Sequence, residues 1–231
     1  NYLTMAKAVH SAMQIVGPDA VKERSFVHAH GSSTPANRTT ESEILDRVAD
    51  AFGINNWPVA AAKAYVGHSL ASASADQLMA TLGSFRYQII PGIKTIDAVA
   101  DDVHQTHLQI STQDVDRQSK PLEVAFINSK GFGGNNASAL VLAPSVVERM
   151  LAKRYGEAVF ADYRARREQT RANAAAYEQR ALKGQLDIIY NFGQGMIDEH
   201  EIVISDTDIS IPGFSKKLSF RKDERFKDML D

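Results

Sequence analysis

The stretch Phe26-Val27-His28-Ala29-His30-Gly31-Ser32-Ser33-Thr34-Pro35 decides how this chain is read. Apolar residues lead into it, and it ends in small hydroxyl-bearing residues closed by a proline. That pattern predicts a buried strand over Ser25–His30 that delivers the imidazole of His30 to a turn. In layered α/β proteins, ligands sit at the carboxyl ends of strands. On this stretch alone, a core histidine before an ordinary turn is the stronger reading.

Two further stretches shift the balance. Ala60–Ala75 follows a short apolar strand, Val59–Ala62, and carries Lys63, Gly67 and His68. The Ala- and Ser-rich segment Ser69–Phe85 then spaces Leu70, Leu78, Leu82 and Phe85 for one helical face. This predicts a buried helix whose amino terminus, with its free N–H groups and partial positive charge, lies beside His68. In Ile127–Ser138, Gly131-Phe132-Gly133-Gly134 and Asn136 form a glycine-rich turn between two strands, Leu122–Asn128 and Ala137–Leu142. An ordinary glycine-rich hairpin is the plain alternative there. Ahead of all three, Leu3, Met5, Ala6, Val9, Met13 and Val16 trace a helical face that Gly17-Pro18 ends. Thr40-x-x-Glu43 reads as a capping box opening a helix through Ile44, Leu45, Val48 and Phe52, with Gly53 as its stop. Strands alternating with helices imply an α/β sheet covered by helices.

In order and spacing, His30-Gly-Ser-Ser-Thr, Lys63-x-x-x-Gly67-His68 and Gly131-Phe-Gly-Gly-x-Asn136 resemble the carboxyl-terminal half of β-ketoacyl-[acyl-carrier-protein] synthases. These are the condensing enzymes of fatty acid and polyketide synthesis, and the resemblance covers roughly the first 144 residues. It implies a thiolase-like half with a mixed sheet covered by helices, and a decarboxylative condensation of an acyl thioester with malonyl on acyl carrier protein. Within it, His30 and His68 correspond to the pair of N–H donors that stabilise the enolate oxygen, and Lys63 to the ammonium that tunes them. Phe132 corresponds to the residue that supplies a backbone N–H to the oxyanion hole and gates the acyl pocket. Ser32 and Thr34 match hydroxyls that bind the phosphopantetheine arm, while Gly131, Gly133 and Gly134 let backbone approach the substrate.

The same resemblance implies no metal and no cofactor beyond the carrier's phosphopantetheine, acyl carrier protein as partner, a homodimer, and a cytoplasmic setting. The family's nucleophile is a cysteine in the amino-terminal half, and this chain has no cysteine. The expectation is therefore a fragment whose missing half carries the nucleophile. A thiolase proper would hold a cysteine motif within this half, and the starter-condensing branch has asparagine in place of one histidine. A non-catalytic partner subunit, like a chain-length factor, is the rival reading.

Departures from the family pattern are specific. Gln77 stands where a glutamate usually partners the lysine, and on an ideal helix Asp76 points about 100° away. Lys130 replaces a common phenylalanine; a cation facing an acyl channel is unfavourable, so Lys130 is expected to face outward or to mark a short acyl substrate. His28 replaces asparagine, Arg38 an aspartate, and Ala71 and Ser74 replace glycines, while Asn37 and Glu41 fit.

Composition sets outer bounds. The 231 residues are 44% hydrophobic and 23% charged with net charge -2, which supports a sizeable core and gives no argument for nucleic acid or membrane as partner. No run of 18 apolar residues occurs, and the amino terminus lacks a signal-peptide layout. His104-x-x-His107 lies in the polar stretch Asp97–His107 with no third ligand evident, so it reads as loop rather than metal site. Leu108–Ser111 reads as a short extended piece. Past Pro144 the character changes. Residues 145–231 read as an extension: one long arginine-rich helix from Ser145 to about Lys183, then short strands at Ile188–Asn191, Glu201–Ser205 and Asp208–Pro212. That helix suits either an acidic carrier protein, a subunit boundary, or plain solvent.

Overall fold

Continuous burial along Ser25–His28 (β1), Trp57–Ala60 (β2) and the first five residues of Val124–Lys130 (β6) builds the centre of the sheet. The computed structural model describes residues 1–186, 189 and 192–220, apart from the side chain of Phe132. Two compact units divide the chain, Asn1–Ala165 and Arg166–Asp231.

In the first unit the strand order is β4-β2-β1-β6-β7, with Leu108–Ile110 as β4 and Asn136–Leu142 as β7. β4, β2, β1 and β6 run parallel, and β7 returns antiparallel to β6. A two-stranded ribbon pairs β3 (Ile89–Ile90) with β5 (Val115–Asp116). Because side chains alternate across a sheet, Val27, Val59, Val124 and Phe126 face one layer. They pack with Met5, Val9 and Ala12 of α1 (Tyr2–Val16) and Leu45, Val48 and Ala49 of α3 (Pro35–Phe52). Phe26, Ala60 and Ala125 face the other layer, against Phe85 of α5 (Ala73–Tyr87) and Val146 of α6 (Pro144–Tyr155). Trp57 anchors the first core: its ring meets Phe126 edge-on at 5.5 Å, and its Nε1–H donates to Ser25 Oγ at 2.9 Å. The mixed, helix-covered α/β sheet agrees with the expectation.

Several boundaries differ from the sequence-based expectations. A short helix, α2 (Pro18–Glu23), begins on the proline read as a stop, since Pro suits a first helical position. β1 ends at His28, so His30 stands in the loop beyond it. β2 is Trp57–Ala60, and Lys63 opens a one-turn helix, α4 (Lys63–Val66). The capping box at Thr40-x-x-Glu43 is a misreading. α3 starts at Pro35, and Thr40 lies inside it, its hydroxyl donating back to Ala36 O at 2.7 Å. Gly53 does end that helix, with φ 65°.

α5 follows a 3₁₀ turn at Leu70–Ser72, and its buried face is not the leucine stripe. Leu70, Leu78 and Leu82 are exposed, while Ala73, Gln77, Thr81, Ser84 and Phe85 are buried. Small side chains let the helix lie close on β6: Ser74 Oγ and Ser129 Oγ are 2.8 Å apart. The long arginine-rich helix is two helices, α6 and α7 (Glu157–Leu182), broken at Gly156 with φ 84°. In α7, Phe160 stacks on Tyr163 and lies under Arg164.

Within the second unit, β8 (Val203–Ile204), β9 (Asp208–Ser210) and β10 (Leu218–Ser219) form an antiparallel sheet. The expected strand Ile188–Asn191 lies largely outside the described residues. No helix among the described residues is long and apolar enough to cross a membrane.

His28 is the one odd tenant of the sheet. It is 1% exposed, its ring meets Phe26 edge-on, and neither ring nitrogen has a partner among the described residues. Burial, and then the ammonium of Lys63, push its pKa down to about 4. The unfolded chain binds a proton near pH 6.5 that the folded chain refuses, so stability is full above about pH 6.5 and falls as pH drops toward 4. The loss across that window is on the order of 3 kcal/mol. Denaturant titrations from pH 4 to 8 are expected to show this slope in the wild type and a flatter one in His28→Asn; equal slopes would refute the assignment.

Candidate active site

The carboxyl ends of β1 and β2 open into adjacent loops, and these loops bring the two predicted histidines together. The rings of His30 and His68 lie 5.2 Å apart, nearly perpendicular at 82°. Each histidine adjoins a glycine with left-handed backbone, Gly31 at φ 57° and Gly67 at φ 72°, a conformation that side chains with a Cβ resist.

Backbone donors set the tautomers. Leu70 N–H donates to His68 Nδ1 at 3.0 Å, and Lys130 N–H donates to His30 Nδ1 at 3.3 Å. An amide N–H can only donate, so each Nδ1 presents its lone pair and the neutral ring carries its proton on Nε2. The site thus presents two Nε2–H donors. Leu70 adopts φ 59° to make its bond. That conformation costs a branched residue about 1–2 kcal/mol and is characteristic of functional loops.

Lys63 donates from Nζ to His30 O at 2.6 Å. Burial lowers its pKa, while Glu41 and Asp76 act in the opposite direction. Gln77 takes no part in that balance. Its Nε2 donates to Ala29 O at 2.7 Å and to Asn128 O at 3.4 Å, tying α5 to β1 and β6. His30 has its own pKa lowered, first by burial and then by Lys63, so the imidazole is held neutral.

Glu41 carries more of the site than the sequence suggested. It is 4% exposed, on the sheet side of α3. Its Oε1 accepts from His30 N–H at 2.6 Å and Asn128 Nδ2 at 2.6 Å. Its Oε2 accepts from Gly31 N–H at 3.0 Å and Asn37 Nδ2 at 2.9 Å. The sequence offered only that Asn37 and Glu41 fit the family pattern; their spacing of one helical turn is the signal that could have pointed here.

A cavity of about 660 Å³ opens beside these groups, lined by Ser32, Lys63, His68, Arg38, Ile93 and Val99 among others. Its size suits a small-molecule arm. Ser32 lines it. Thr34 does not; it occupies the position before α3. Neither hydroxyl has a hydrogen bond among the described residues. The glycine-rich turn closes with Gly131 N–H donating to Asn135 O at 2.7 Å, and Gly133 and Gly134 are left-handed at φ 75° and 82°. Phe132 begins a 3₁₀ turn there, and its ring lies outside the described residues. Lys130 is part-buried and reaches Thr40 Oγ1 at 3.3 Å, running along α3. His104 and His107 serve α3 as well: His107 sits between Asp46 and Asp50, 3.5 Å from each.

Comparison with known proteins identifies what the chain is similar to. The family described as Beta-ketoacyl synthase, C-terminal domain, matches residues 2–97. Beta-ketoacyl-[acyl-carrier-protein] synthase FabY of Pseudomonas aeruginosa is 69% identical over 231 residues, which are 100% of this chain and 36% of that protein. 3-oxoacyl-[acyl-carrier-protein] synthase 1 of Escherichia coli is 30% identical over 116 residues, 50% of this chain and 27% of that protein. The crystal structure of the noncanonical ketosynthase FabY from P. aeruginosa matches with a TM-score of 0.81, again over 100% of this chain and 36% of that one. The chain thus spans just over a third of FabY's length. It carries, over residues 2–97, the carboxyl-terminal domain of the β-ketoacyl synthase family.

Proposed function

We propose that this chain supplies one side of the active site of a β-ketoacyl-[acyl-carrier-protein] synthase. One observation carries the reading: two imidazoles, far apart in sequence, lie 5.2 Å apart with each Nδ1 taken by a backbone N–H, next to a cavity that His68 and the buried ammonium of Lys63 line. Loss of carbon dioxide from a malonyl thioester breaks a carbon–carbon bond and leaves an enolate. Its oxygen gathers negative charge, and preorganised N–H donors in a site poor in water stabilise such charge strongly. The enolate carbon then attacks the carbonyl of an acyl thioester, and the thiolate leaves. That thioester belongs to a cysteine which the family resemblance assigns to residues outside this chain.

His30 and His68 act as the donor pair and Lys63 keeps their field positive. Phe132 contributes its backbone N–H and its ring as gate. Ser32 and Thr34 hydrogen-bond the phosphopantetheine arm, and Gly131, Gly133 and Gly134 let the backbone turn close to it. Acyl carrier protein is the partner, the working unit is a homodimer, and the setting is cytoplasmic. Residues 1–144 make up the synthase portion and 145–231 an extension. Support for these roles comes from the proximity of His30, His68 and Lys63 and from the hydroxyl of Ser32, which lines the cavity and has no hydrogen bond among the described residues.

In the full-length protein, His30→Ala should lower malonyl decarboxylation about 10²–10³-fold while acyl loading continues, as radiolabelled acyl transfer and carbon dioxide release would record. Loss of loading with decarboxylation intact contradicts the assignment. In Lys63→Met, imidazolium at His30 no longer faces a cation, so its pKa rises and the acidic limb of the kcat/KM profile moves to higher pH. An unmoved limb removes Lys63 from the electrostatic role. Glu41→Gln replaces an acceptor-only carboxylate with a group that donates from one end, opposite N–H groups that also donate. Stability is expected to fall by about 2–4 kcal/mol in denaturant titration, with condensation reduced more than loading.

A further inference from the structure

One stripe of α3 holds a polar seam. Arg38, Ser42, Asp46 and Asp50 recur at helical-turn spacing, and the segment running from Ile93 to His107 is fastened along them. Arg38 makes a two-pronged pair with Asp102, Nε to Oδ1 at 2.8 Å and Nη2 to Oδ2 at 2.7 Å. His104 N–H donates to Ser42 Oγ at 3.1 Å, and His107 N–H to Asp46 Oδ1 at 2.6 Å. At the other end, Ile93 N–H donates to Ser111 O at 2.8 Å, and Lys94 pairs with Asp114 at 2.7 Å. Among the described residues, 95–99 make no hydrogen bond outside the segment. Yet Ile93, Ile96, Val99 and Val103 contribute apolar wall to the 660 Å³ cavity that His68 and Lys63 also line. Arg38 lines the same cavity.

We propose that Arg38 is a positioning residue that sets substrate specificity: by gripping Asp102 it holds residues 95–103 as a fixed wall, and so fixes the width of the channel that admits a pantetheine-type arm. The argument rests on the synthase reading above for the identity of the arm, and on the seam alone for the fixed wall. Ser42 and Asp46 accept from backbone N–H groups, which side-chain changes in the loop leave intact. Arg38–Asp102 joins two side chains, and it is the pin nearest the unfastened stretch on its carboxyl-terminal side. A fork-shaped guanidinium on a carboxylate fixes direction as well as distance. The two side chains are 38% and 47% exposed, so solvent and salt weaken the pair and its effect is modest.

The test uses the full-length protein with Arg38→Ala, Asp102→Asn and the exchanged pair Arg38→Asp/Asp102→Arg. Amide hydrogen exchange over 95–103 should quicken about two- to five-fold in each single variant and return toward wild type in the exchanged pair. KM for malonyl on carrier protein should rise by a similar factor in the single variants with kcat held. KM for an N-acetylcysteamine thioester, which has only the tip of the arm, should stay unchanged. Unchanged exchange and KM in both single variants, or no recovery in the exchanged pair, overturns the proposal. His30→Ala run in parallel separates the two readings: retained decarboxylation sinks the synthase reading, while the exchange data still judge the wall.

Discussion

A single buried carboxylate holds the site together. Glu41 sits 4% exposed beneath the loop after β1 and accepts from the backbone of His30 and Gly31, from Asn37 and from Asn128. Burying a charge is costly unless its lone pairs are used. Here both oxygens are each used twice, by groups from α3, β6 and the loop itself. The consequence is positional. A loop that would otherwise be free to choose among conformations has its backbone fixed at the residue whose ring does the chemistry.

From that anchor the electrostatics follow. Lys63 reaches the carbonyl of His30 rather than its ring, so the ammonium sits near the imidazole without competing for its nitrogens. A cation at that distance opposes protonation of His30, and burial acts in the same direction. Neutral rings whose Nδ1 atoms are occupied by backbone donors have one possible place for their protons. The site therefore has a defined donor geometry, and among the described residues no carboxylate hydrogen-bonds either ring. Gln77 illustrates the division of labour: a neutral amide stitches helix to sheet where a charged group would have redistributed the field.

α3 serves three layers at once. Its apolar stripe packs on the sheet through Leu45, Val48 and Ala49, its buried carboxylate supports the His30 loop, and its polar stripe fastens residues 93–107. The pattern of apolar residues made the helix legible, but its start was misjudged. Thr40 and Glu43 fit a capping box by type and spacing, and only the backbone reveals that Pro35 already occupies the first turn. The exposed leucines of α5 misled for a related reason. Helical periodicity identifies a stripe, but which stripe meets the sheet depends on how closely the helix must approach, and small residues decided it.

What the chain's residues determine unaided is the alternation of strands and helices, the glycines that permit left-handed turns beside each histidine, and the three motifs that must meet. These are local properties, set by side-chain pattern and backbone freedom. The tertiary structure alone decided that His28 is entombed with neither ring nitrogen partnered among the described residues, that the backbone amide of Lys130 chooses the tautomer of His30, and that Glu41 joins three elements. The Lys130–His30 and Asn128–Glu41 contacts join groups 100 and 87 residues apart in the chain. Such contacts form only when the sheet brings β1 and β6 side by side, and no local pattern encodes them.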